Sequence, residues 1–161
     1  MTNHLISVLV ENKPGVLARI SSMFARRGFN IHSLAVGPTS DPDMSRMTVV
    51  VDAPEMEQIV KQLRKLINTV KVTELAPGDA VEREVMLIRV SVDASKRSEI
   101  LEAARLMGAE PVDVGTSTIT FEIAGTPDRL ATFHEMLRPY GISDMVKSGR
   151  IALGKTPARN A

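Results

Sequence analysis

The chain has 161 residues, with 20 Lys and Arg against 19 Asp and Glu, a formal charge of +1. That balance excludes a protein whose main task is gripping phosphate backbones or an anionic membrane. Having no Cys and only four Phe and one Tyr, the chain also excludes thiolate catalysis, disulfides, Cys-ligated metals and a stacked-ring platform for single strands. The 43% apolar fraction is that of a chain with a real core. No apolar run approaches the ~20 residues needed to cross a bilayer, and the N-terminus carries no basic-then-apolar leader. Cytoplasm is the expected location.

Residues 4–10 are short, rich in β-branched side chains and stopped by Glu-Asn-Lys-Pro-Gly at 11–15, which predicts a strand and a turn. Val16, Leu17, Ile20, Met23 and Phe24 fall at helical spacing, with Pro14 at the entry and Gly28 at the exit. Residues 30–36 read as extended, 37–44 as a polar loop, and the alternation of Met47, Val49 and Val51 as a strand. Met56, Ile59, Val60, Leu63, Leu66 and Ile67 mark a second helix, and 70–75 a fourth strand. After Ala76-Pro-Gly-Asp79 the order begins again. Met86, Ile88, Val90 and Val92 alternate, and Ile100, Ala103, Ala104 and Met107 form a stripe ended by Gly108. Val112 and Val114 turn at 115–117 into Ile119, Phe121 and Ile123. Thr126-Pro127 opens a helix through Leu130, Phe133 and Leu137, and a last extended stretch lies between Ile142 and Leu153.

Two successive β-α-β-β-α-β units predict an α+β chain of two ferredoxin-like domains. The expected division is residues 1–76, a linker at 77–83, a second domain at 84–154 and a frayed tail at 155–161. In the first unit Leu5, Leu9 and Val50 fall opposite Ile6, Val8 and Val49, so both faces of the sheet are apolar and something must cover the second. A second copy of the same domain is the first expectation; the other half of this chain is the alternative.

The fold alone decides no function. Recognition of RNA needs rings on the central strands, and 4–10 and 45–52 have none. An enzyme needs an acid–base pair or a tuned nucleophile. His4, His32 and His134 are scattered without ligand spacing, and Asp41 and Asp43 flank Pro42 as ordinary turn residues. The informative stretch is Asn12 to Leu17. It sets a helix N-terminus directly after a strand, where the N–H groups of Gly15, Val16 and Leu17 lack intrahelical partners and suit a carboxylate. Gly15 allows close approach, and Asn12 offers a donor and an acceptor to an amino-acid head group. The competing reading is a plain turn, with Asn12 and Gly15 supplying backbone geometry.

Glu-Asn-Lys-Pro-Gly-Val-Leu-Ala-Arg-Ile at 11–20 and Arg-Gly-Phe-Asn-Ile at 27–31 resemble the ACT domain, a ferredoxin-like module that binds amino acids. With 27–39, Ser-Arg-Met-Thr at 45–48 and Val-Glu-Arg-Glu at 81–84, the chain from about residue 3 to 155 resembles the regulatory (small) subunit of acetolactate synthase, also called acetohydroxyacid synthase. The resemblance implies a non-catalytic chain that activates a large catalytic subunit and confers feedback inhibition by valine or another small aliphatic amino acid. It implies no cofactor here, with thiamine diphosphate, Mg²⁺ and FAD in the large subunit. It implies a homodimer through ACT domains, with Asn12, Gly15, Val16 and Leu17 holding the effector from one subunit and Asn30 and Ile31 approaching from the other. No nucleic acid, membrane or metal site is expected. A free-standing ACT-type sensor with a different partner is the alternative function, and a small ferredoxin-like enzyme a third.

Overall fold

A computed structural model of the chain describes residues 3–156. Two β-α-β-β-α-β units follow one another. The first comprises β1 (Asn3–Glu11), α1 (Val16–Arg26), β2 (Asn30–Pro38), β3 (Met44–Asp52), α2 (Met56–Arg64) and β4 (Thr69–Leu75). Its strands pair antiparallel in the order β2-β3-β1-β4. The second comprises β5 (Ala80–Ser91), α3 (Arg97–Leu106), β6 (Glu110–Val114), β7 (Thr118–Gly125), α4 (Pro127–Leu137) and β8 (Ile142–Lys147). Its order is β6-β7-β5-β8, and a short β9 (Ile151–Gly154) also pairs with β5. The α+β, twice-repeated ferredoxin-like fold expected from the sequence is the fold observed.

The alternating positions do what alternation demands. In the first unit Ile6, Val8, Val49 and Val51 point from the sheet into Ile20 and Phe24 of α1 and Ile59 and Leu63 of α2, all almost fully buried. Met56 to Leu63 follow the expected stripe, but the helix ends at Arg64, and Ile67 is 92% exposed in the turn before β4. In the second unit Met86, Ile88 and Val90 pack with Ile119, Phe121, Ile100 and Phe133. The Phe121 and Phe133 rings meet edge-to-face with centroids 6.1 Å apart, which fixes α4 on β7. Thr126 caps α4 by accepting from the Arg129 N–H at 3.4 Å, with Pro127 in the first turn.

The division of the chain differs from the expected one. One compact unit contains residues 3–81 together with 149–156, and the other contains 82–148. The stretch expected to be a linker at 77–83 is a turn only as far as Asp79, because β5 begins at Ala80. The expected second domain at 84–154 loses its end: the extended stretch from Ile142 is two strands, and the second of them belongs with the first unit. Of the expected tail, residues 157–161 lie outside the described residues.

This redistribution answers what covers the second face of the first sheet. Ser33, Val50, Leu5 and Leu75 are successive cross-strand neighbours across that sheet. The returning segment crosses this row: the Arg150 N–H donates to Ser33 Oγ at 2.7 Å, and Ala152 packs with Leu5, Val50, Leu75 and Ala80. Gly149 lies so close to β2 that a Cβ there would sit 2.0 Å from the Leu34 carbonyl oxygen. Leu5 and Val50 are therefore covered by this chain's own residues rather than by a second copy. Small side chains at 80 and 152 and none at 149 let two backbones approach, a device that leaves no apolar stripe to read. Among the described residues no helix is long and apolar enough to cross a membrane.

Candidate functional site

The turn from β1 into α1 is built by Gly15. Its φ of 82° lies in the left-handed region, and no side chain caps α1 there. A side chain at this position would meet nothing within 4 Å, so the glycine is required by backbone conformation and the space above it is open. The helix N-terminus is thus exposed to a ligand, with one qualification. The Val16 N–H turns toward the Lys13 carbonyl at 3.4 Å, so of the three N–H groups expected to be open, that of Val16 is partly engaged.

A hollow of about 300 Å³ opens beside this turn. Val10, Val16 and Met47 are buried core residues that form its apolar floor, while Leu17, Val36 and Pro38 line its rim. Its position follows from sheet register. Val10, Ser45 and Pro38 are consecutive neighbours across β1, β3 and β2, so the hollow sits at one end of the three strands, next to the start of α1. Polar groups enter from Glu11, Asn12, Lys13 and Ser45. The volume is at the lower end of small-molecule sites, which run from ~300 to 1,000 Å³.

The polar groups are anchored. The Asn12 Nδ2 donates to the Pro42 carbonyl at 3.0 Å, and its backbone N–H donates to the Asp43 carbonyl at 2.7 Å. Asn12 thereby clamps the β2–β3 loop onto the turn. One amide N–H goes to that clamp, and the carbonyl oxygen Oδ1 and the second N–H face no such duty. Glu11 accepts from the Asn68 amide and pairs with Lys13 at 3.2 Å. Arg19 in turn donates to Asn68 Oδ1 at 2.6 Å. The Asn68 hydrogen bond first, and Lys13 second, hold the Glu11 carboxyl below its ordinary pKa. It is a fixed anion beside the helix N-terminus.

Asn12, Val16 and Leu17 line one hollow, while Gly15 sets the turn between them and is not among its lining residues. Asn30 and Ile31 stand at the far end of β2, where Asn30 pairs with Asp52 while Pro38 pairs with Ser45. At ~3.3 Å per residue that is roughly 20–25 Å from the hollow, so a single chain does not bring these two to the other four. Sequence reasoning missed Val36, Pro38, Ser45 and Met47. Their signal was weak: Met47 and Ser45 were visible only as strand positions, and their place at the hollow depends on β2–β3 register. Among the described residues no three His, Cys, Asp or Glu side chains cluster as a metal site.

Two antiparallel sheets in β-α-β-β-α-β order, with a glycine turn opening α1 at the end of the first sheet, define an ACT-type ferredoxin-like module. Residues 6–71 match the family model described as an AHAS small subunit-like ACT domain, and residues 83–156 the model for the small subunit of acetolactate synthase. An acetolactate synthase small subunit from Mycolicibacterium smegmatis is 52% identical over 157 residues, spanning 96% of this chain and 92% of its own. A probable acetolactate synthase small subunit from Archaeoglobus fulgidus is 47% identical, spanning 93% and 95%. The crystal structure of the acetolactate synthase small subunit from Thermotoga maritima superposes with a TM-score of 0.90 at 34% identity, covering 98% of this chain and all of that one. The chain belongs to the acetolactate synthase small-subunit family.

Proposed function

We propose that this chain is the regulatory partner of a catalytic large subunit of acetolactate synthase, raising its activity and conferring feedback inhibition by valine. The hollow at the β1–α1 turn is the observation that supports this reading most strongly. A valine carboxylate suits the N-terminus of α1 at Leu17, where the dipole favours an anion. The ammonium suits Asn12 Oδ1 and the Glu11 carboxylate, and the isopropyl group the floor of Val10, Val16 and Met47. An apolar pocket separates side chains differing by a methylene by only ~1–3 kcal/mol. Valine is then well separated from alanine and poorly from leucine or isoleucine.

Two copies complete the site in this reading. β2 is one of the two edge strands of the first sheet, β4 being the other. Antiparallel pairing of two β2 strands about Leu34 sets Asn30 and Ile31 of one chain opposite Pro38 and Gly37 of the other, at the rim of its hollow. An effector held across that junction binds the paired form best and shifts the population toward it, and the large subunit responds to the change. Leu5 and Val50 no longer argue for pairing, since the chain covers them; the edge position of β2 and the separation of Asn30 from Asn12 do. Thiamine diphosphate, Mg²⁺ and FAD belong to the large subunit in this scheme, and the complex works in the cytoplasm. Calorimetric titration of valine into the purified chain tests the reading: saturable binding is expected from the parent and a loss of it from Gly15→Asp. Equal valine binding by parent and variant would remove the site.

A further inference from the structure

On the helix side of the first unit, away from the effector hollow, α1 and α2 enclose an open trough of about 690 Å³. Its walls carry Arg19, Arg26 and Arg27 from α1 and its C-terminus, and Lys65 from the end of α2, all exposed. Met23 and Leu66, half-buried against the core, form its floor. No carboxylate lines it. Four cations thus face one another in a chain whose whole charge is +1. At exposed positions their mutual repulsion is screened by water and salt, and no carboxylate of the trough competes with an anionic partner.

Helix dipoles explain most of the pattern, because Arg26, Arg27 and Lys65 all stand at helix C-termini. They do not explain Arg19, which lies in the N-terminal half of α1 and is oriented by its bond to Asn68. A small free anion is a poor occupant: all four cations are exposed, and Arg19 already donates to Asn68. A protein surface fits better. From Arg19 to Arg26 the wall runs roughly 10 Å, about two turns of helix. The apolar floor accepts aliphatic side chains while the rim meets carboxylates, the pattern by which an amphipathic helix lies in a groove.

We propose that this trough docks an acidic amphipathic segment of the catalytic large subunit. The proposal rests on the regulatory-subunit reading and adds the surface that makes the contact. Exposed rim charges act mainly on the association rate and its salt dependence, so binding through the trough weakens as salt rises.

The test uses the full chain and the purified large subunit, with affinity and association rate measured by interferometry at low and high salt. Parent binding must weaken with salt. The double reversal Arg27→Glu with Lys65→Glu is expected to lower affinity about 10- to 100-fold, mostly through slower association and with a flatter salt dependence. The neutralising pair Arg27→Gln with Lys65→Gln carries less risk to folding and should show a smaller loss of the same kind. Arg105→Glu on α3, an exposed cation elsewhere, should change little. Melting temperature and valine binding by the variants should match the parent. Unchanged affinity in both double variants, or an equal loss in Arg105→Glu, overturns the proposal. So does tight pyrophosphate binding to the parent without any effect of the substitutions on large-subunit binding. A parent chain that fails to bind the large subunit at all would instead refute the regulatory reading.

Discussion

Replacing Gly15 separates what the turn does for folding from what it does for an effector. The residue has φ 82° and open space around its missing side chain. Any L-residue there pays for the left-handed conformation, about 1–2 kcal/mol, with Asn and Asp the best tolerated. Gly15→Asn and Gly15→Asp therefore share nearly the same shape and nearly the same strain, and differ by one negative charge. That charge would sit at the start of α1, beside the place where the valine carboxylate is expected. At ~4 Å the repulsion is about 1 kcal/mol in a water-like medium and about 4 kcal/mol at the effective dielectric of a protein surface. The Asp variant should consequently bind valine at least about 5-fold more weakly than the Asn variant, since 1.4 kcal/mol is tenfold. Both should melt within a few degrees of each other. Calorimetry on the two purified variants, with thermal melts as the control, measures the contrast. Equal valine affinity in Asn and Asp would refute a carboxylate at this helix N-terminus, whatever the parent does.

Other substitutions probe separate parts of the account. Asn12→Ala removes the bond to the Pro42 carbonyl as well as the contact proposed for a valine ammonium; about 1 kcal/mol of stability should go with the former, read by thermal melts, and valine affinity should fall further than stability does. Gly149→Ala places a Cβ 2.0 Å from the Leu34 carbonyl oxygen, so residues 149–152 must shift off β2, at a cost of about 1–3 kcal/mol; denaturant melts and faster amide exchange at Arg150 and Ala152 would show it, and parent-like exchange would contradict the packing. Glu11 has its pKa lowered from 4.5 by Asn68 and Lys13. A carboxyl lowered on folding stabilises the fold above its unfolded value, and the gain is lost as pH falls through the lowered folded value. Stability should drop below about pH 4.5, the unfolded value, and Glu11→Gln should flatten that part of the profile in melts recorded against pH.

The sequence made the strands and helices legible because each buries one face, and alternation or a 3.6-residue stripe records which. Ile6, Val8, Val49, Ile59 and Phe121 are where that logic places them. It also singled out the β1–α1 turn, where Asn12 and Gly15 precede a helix N-terminus, with a plain turn as the competing reading. Three features stayed hidden for definite reasons. The cover over Leu5 and Val50 comes from Ala80 and Ala152, small residues far apart in the chain whose contact needs backbone proximity rather than hydrophobic bulk. The far wall of the hollow, Val36 and Pro38, depends on β2–β3 register, which pairs Pro38 with Ser45 and not with a neighbouring residue. The engagement of Asn12 with the Pro42 carbonyl depends on how a loop of two prolines closes, and composition does not determine that.

The central claim is that this chain makes a catalytic subunit answer to valine. It is tested most directly by following acetolactate formation by the purified large subunit, with and without this chain, over a valine titration. The rate should be higher when the chain is added and should fall saturably as valine rises, with the large subunit alone slower and insensitive. A large subunit that is equally active and equally valine-sensitive without this chain would contradict it.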